Sequence, residues 1–172
     1  MRRKLMWVAV FATMTGATAY RIRATPAAGF TGTTIALGRF DSMDVMNQAV
    51  VEKFAAPRLN KVWISLQKTK GVSDVYVQNN VWVPGGSTGW HTHPGHSLII
   101  VTAGTVTAYE GDDPLCTPTR YTAGMGFVDP GGDHVHMLRN ETSEETRTVA
   151  VQMIPAGAGR RIDAAAAAAC PF

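Results

Sequence analysis

All five histidines of this 172-residue chain stand between positions 91 and 136, at His91, His93, His96, His134 and His136. Neutral imidazole is the ligand proteins use most often for Zn, Cu, Fe and Ni, and three imidazoles on one ion leave open positions for water or a substrate. His91 and His93 are two residues apart, as are His134 and His136. In extended chain, residues i and i+2 point to the same face, so each pair can present both rings to one side. Two strands of one barrel would bring the two faces together. The candidate metal ligands are therefore His91, His93, His136 and His134, and the expected cofactor is one divalent transition metal: Fe, Mn, Cu, Ni or Zn. Imidazole binds a metal only when deprotonated, so such an ion should leave as the pH falls below about 5–6.

The elements that must carry these rings read as strands. From Thr33 onward, Thr-Thr-Ile-Ala-Leu-Gly-Arg-Phe is β-rich, Val62 to Lys68 alternates, and Asp74 to Val83 is a long β-favouring run. Segments 97–102, 105–109, 126–129, 135–139 and 146–154 follow, separated by Gly/Pro turns such as Pro84-Gly85-Gly86, Ala103-Gly104 and Pro130-Gly131-Gly132. Many short strands with such punctuation predict an all-β, antiparallel sandwich or barrel. Val45, Ala49, Val50 and Phe54 fall at near-helical spacing, which predicts one short helix within 41–56. Ala164 to Ala169 reads as a short tail helix or an extended arm held by Cys170.

The run from Gly85 through His91-Thr92-His93 to Gly104 resembles the first motif of the cupin superfamily: a glycine, five residues, His-x-His, a glutamate three or four residues on, and a closing glycine. The run from Gly124 through Pro130 and Gly132 to His136 and Asn140 resembles the second, in which an asparagine follows the histidine by four positions. The resemblance covers residues 73–155 and implies a single cupin-type jelly-roll barrel. It departs from the family at two places. Ser97 stands where the family has its glutamate ligand, with His96 one position earlier, so the resemblance implies a three-histidine site. One extra residue precedes the second-motif histidine; the asparagine spacing selects His136, while the shared face leaves His134 open as ligand or neighbour. Three-histidine sites of this superfamily imply a metal-dependent, dioxygenase-like enzyme acting on a small molecule. The alternative is a non-catalytic module that binds a small ligand or metal. Cupins pair through edge strands, which makes a homodimer the oligomer to test.

Polar residues that interrupt apolar strands, Gln78, Asn80 and Gln152, are candidates for orienting a ligand; the alternative is that they pair between strands or face water. Trp82 and Trp90 flank the histidines and read as packing residues. Asp112-Asp113 lies in a Gly/Pro turn. There is no nucleophile elbow, no phosphate-cradling glycine loop and no paired-carboxylate hydrolase signal.

Residues 1–19 read as an export signal. Arg2, Arg3 and Lys4 precede a short apolar run, and Ala17-Thr18-Ala19 is a small-x-small cleavage site. Arg-Arg-Lys-Leu-Met also resembles a twin-arginine start, so the export route stays open. This segment holds three of the 16 basic and none of the 13 acidic residues, which leaves the rest of the chain balanced. Such a domain has no surface for tracking nucleic acid, and no apolar run reaches the roughly 20 residues of a membrane helix. Expected organisation is a signal at 1–19, a flexible leader arm at 20–32, the barrel at 33–160 and a tail at 161–172. In a secreted or periplasmic protein, Cys116 and Cys170 are expected as a disulfide closing a loop of about 50 residues, a crosslink that contributes roughly 3–4 kcal/mol.

Overall fold

Backbone pairing between distant segments decides this architecture. The structure, a computed structural model, describes residues 24–50, 62–170 and 172. The expected signal at 1–19, the start of the leader arm and residues 51–56 of the expected helix lie outside the described residues. The strands in chain order are β1 (Ala28–Phe40), β2 (Asp44–Val50), β3 (Val62–Lys68), β4 (Ser73–Ser87), β5 (His91–Thr92), β6 (Ser97–Ala103), β7 (Thr105–Glu110), β8 (Thr119–Thr122), β9 (Gly126–Asp129), β10 (His136–Arg139), β11 (Thr146–Pro155) and β12 (Ile162–Asp163). Among the described residues there is no helix.

Ten strands form one antiparallel sheet that curls into a nearly closed barrel. Its main path runs β12-β5-β10-β4-β11-β6-β9, with β1 on the other side of β4, and with β7 joining β10 to β8. Strand alternation sorts the side chains. In β11, Thr146, Thr148, Ala150, Gln152 and Ile154 are buried, while Arg147 and Val151 face out; in β6, Ser97, Ile99 and Val101 turn inward. The apolar interior gathers Trp82, Ile99, Val101, Val106, Ala108, Leu138 and Ala150, with Phe30, Tyr121 and Phe127 packed against it. A second cluster of Trp90, Tyr109, Met137 and Cys170 sits beneath the tail.

Two expectations change, and one alternative for the tail is selected. Asp44–Val50 is a strand paired with β3 residue by residue from Asp44↔Lys68 to Val50↔Val62, not the start of a helix. The partner strand satisfies its backbone groups, and such long-range pairing overrides a local spacing signal. This two-stranded ribbon stands apart from the barrel sheet and exposes Met46, Trp63, Ile64 and Leu66. The barrel also begins earlier than residue 33: β1 starts at Ala28, and Ala24 bridges Ala165. Thr25 Oγ1 accepts a 2.6 Å hydrogen bond from the Trp90 amide, so 24–32 is built into the fold instead of forming a free arm. The tail is extended and joins the sheet through β12, which pairs Asp163 with His91. Cys116 and Cys170 are bonded, with Cα atoms 5.3 Å apart.

Candidate metal centre

Two strand segments and one loop deliver the histidines. β5 carries His91, its successor residue carries His93, and β10 opens on His136, which pairs with His91 across the ladder. The β9–β10 turn holds the two sides together: the Gly132 amide donates to the His93 carbonyl at 2.7 Å, and Thr92 Oγ1 donates to the Gly132 carbonyl at 2.7 Å. Gly131 makes this possible. Its φ is +67°, and a Cβ there would collide with the Gly95 carbonyl.

Ring nitrogens of His91, His93 and His136 all lie within 4.8 Å of one another. That is close to the span of a single ion held through bonds of about 2.0–2.1 Å. Two tautomers are set by the backbone. His91 Nδ1 contacts the Gly89 carbonyl at 2.9 Å, and His93 Nδ1 contacts the Arg160 carbonyl at 2.5 Å. A carbonyl accepts only from N–H, so each neutral ring presents Nε2 as a lone pair. His136 Nδ1 is buried with no hydrogen-bond partner. This donor set fits a transition metal. Burial pushes the His91 imidazolium down to about 2, helped by the positive charges of His136, Arg161 and His93. Burial likewise lowers His136 to about 4, with Asp129 opposing.

Asp129 is the residue that sequence reasoning missed. It is 3% exposed; its Oδ2 lies 3.3 Å from His93 Nε2 and its Oδ1 lies 3.6 Å from His136 Nδ1. In the ladder it stands opposite Ser97, the position of the family's glutamate. In the sequence it is only the last residue of the strand segment 126–129, before Pro130, and the β6–β9 register reveals it. Asp129, His134 and His136 form a second group whose donor atoms lie within 4.8 Å of each other. His134, however, is in the turn before β10, so strand alternation does not govern it. Its Nε2 reaches Glu110 Oε2 at 2.6 Å, and it does not line the central cavity. Burial raises the Glu110 carboxyl, with His134 opposing.

The histidine triad opens onto a cavity of about 260 Å³ inside the barrel mouth. Gln78, Asn80 and Gln152 all line it, as do Ser97 and Trp82. His96 is turned away, toward a separate groove with Gln67 and Met153. Trp90 and Tyr109 pack under the tail, and the Tyr109 hydroxyl donates to Glu141 at 2.6 Å. Asp113 caps its own turn by accepting from the Leu115 and Thr117 amides. Arg160, which the sequence did not single out, reaches into the cavity from the tail: its Nε donates to Gln152 at 3.0 Å, and its side chain stacks on Tyr76 at 4.2 Å.

Residues 81–152 match the family described as "Cupin domain". That span contains every candidate ligand and supports the cupin superfamily for the barrel. No curated protein matches the chain. Among solved structures, the chain is similar to peruvianin-I, a cysteine peptidase from Thevetia peruviana latex, at 26% identity over 45% of this chain and 49% of that one, with a TM-score of 0.40. The likeness thus spans about half the length of peruvianin-I. A conserved protein with a double-stranded β-helix domain from Klebsiella pneumoniae matches at 27% identity over 54% of this chain and 74% of that one, TM-score 0.42. The polyketide cyclase RemF from Streptomyces resistomycificus matches at 16% identity over 86% of this chain and 84% of that one, TM-score 0.49.

Proposed function

We propose that this chain is an exported, metal-dependent enzyme of the cupin type, in which His91, His93 and His136 hold one divalent transition ion and a small molecule binds beside it. The observation that carries this reading is the convergence of three imidazoles on an open cavity, two of them with Nδ1 committed to backbone carbonyls. An ion bound there would supply Lewis-acid or redox chemistry of the dioxygenase kind at the positions the imidazoles leave free. The chain's own residues do the rest. Gly89 and Arg160 orient the rings through their carbonyls. Phe30, Trp82, Ile99 and Leu138 form an apolar wall that limits water, and Gln78 and Gln152 offer amide groups at its edge. The Cys116–Cys170 bond supports an oxidising compartment outside the cytoplasm.

Elemental analysis tests the reading. The protein from residue 20 onward, purified without tags or chelators, should carry about one equivalent of a transition metal. The His91→Ala/His93→Ala variant should carry none. No metal in either protein, and none taken up on titration, would sink the proposal. A non-catalytic binding module would share this site, and recovery of every bound small molecule unchanged would favour it.

A further inference from the structure

Among the described residues, the cavity is lined by one cation that has no counter-ion. The Arg160 guanidinium donates from Nε to Gln152 Oε1 at 3.0 Å, from one terminal nitrogen to Thr34 Oγ1 at 2.7 Å, and from the other to Gln78 Oε1. All three acceptors are neutral. No carboxylate is among the described residues that line the cavity. The neighbouring Arg161 differs, because its Nε sits 2.5 Å from Asp163 Oδ1. A guanidinium has five N–H groups, so two remain for a ligand. Its plane is already fixed by the three bonds and by stacking 4.2 Å over Tyr76, so a ligand would meet a preorganised fork at little further cost in order. Partial burial disfavours the bare charge and lowers the Arg160 pKa.

The rest of the cavity restricts what the anion can be. Its volume, about 260 Å³, falls below the roughly 300–1,000 Å³ of sites for drug-sized ligands. Phe30, Trp82, Ile99 and Leu138 offer apolar contact, which suits a hydrocarbon body and not a phosphate or a sugar. The Arg160 carbonyl contacts His93 Nδ1, so the cation and the candidate metal ligand are fixed to each other through one residue.

We infer that the cavity takes a small monocarboxylate, held by the Arg160 guanidinium with its apolar body against Phe30, Trp82, Ile99 and Leu138. This names the substrate class for the proposed function and rests on its reading of the cavity as the small-molecule site. The test is calorimetric titration of isovalerate against isovaleramide, and of benzoate against benzamide, into metal-free and Zn(II)-loaded protein. In the metal-free protein at least one carboxylate should bind roughly tenfold or more tightly than its amide. Arg160→Met should bring that ratio close to one. So should Gln78→Glu, which leaves an acceptor for the guanidinium but supplies the missing counter-charge internally. The two variants fail for different reasons, so misfolding of one leaves the other decisive. Equal binding of acid and amide, no carboxylate binding at about 10 mM, or a preference that survives Gln78→Glu would overturn the inference. Protein that keeps the preference yet takes up no Zn(II) would overturn the metal reading alone; protein that takes up Zn(II) without the preference would overturn this one alone.

Discussion

Gly131 and Gly124 both hold φ above +60°, yet they answer for different things. A methyl group at Gly124 would meet nothing within 4 Å, whereas one at Gly131 would meet the Gly95 and His93 carbonyls. Gly124→Ala should therefore cost only the backbone penalty of about 1 kcal/mol in urea unfolding. Gly131→Ala should cost about 2–4 kcal/mol and also weaken metal uptake, because this turn ties the His93 segment to the strand that starts at His136. Equal costs would mean that the turn does not hold the site. Which residues converge was partly legible. His91 and His93 were fixed by spacing, and His136 by its distance to Asn140. Asp129 was not legible, because its meaning depends on lying across a ladder from Ser97, and pairing partners leave no local trace. His134 joins Asp129 and His136 in the second donor group and not the triad, and the same-face rule does not reach it because the strand begins two residues later.

At the level of elements, one ion pair fastens three segments. Arg39 of β1 donates to both oxygens of Asp74 on β4, at 2.7 and 2.9 Å, and the Gly157 amide after β11 donates to Asp74 Oδ2 at 2.9 Å. The Arg39 guanidinium and that amide hold the Asp74 carboxyl down at about 2, below the roughly 3.9 of an unfolded chain. Between those values the unfolded chain binds the extra proton. The stabilisation is thus fully present above about pH 4 and is lost as the pH falls toward 2. Unfolding free energy should decline through this window, and Asp74→Asn should flatten the slope by up to about one proton. An unchanged slope would show that Asp74 is equally protonated in both states. Strand existence was legible from alternation and turn residues, since both are local. The order of strands was not, and the β2 segment failed because apolar residues spaced near 3.6 on a short run fit a ribbon equally well once a partner is present.

Across the whole molecule, the C-terminal segment is a structural member of the barrel. β12 extends the sheet beyond β5, Ala165 bridges Ala24, and Cys170 is covalently tied to Cys116 across 54 positions. Replacing both cysteines by serine should lower stability by about 2–4 kcal/mol, measured by urea unfolding. Reduction of the native protein should do the same. No loss in either case would mean that packing of Trp90, Tyr109 and Met137 alone secures the tail. The pairing was legible from compartment and count, but the role of the tail was not: an alanine run has no periodicity to read, and nothing in the sequence sets Arg160 apart.

The order of groups along the chain separates the barrel from the completion of its cavity. The barrel's main strands are complete once β11 has been made, at Pro155. The carbonyl that sets the His93 tautomer, the cavity guanidinium and the strand beside His91 all arrive afterwards, between residues 160 and 163. The main strands and the groups that complete the cavity thus lie on different stretches of the chain, so a chain cut after Pro155 would keep the former and lose the Arg160 guanidinium and the strand beside His91.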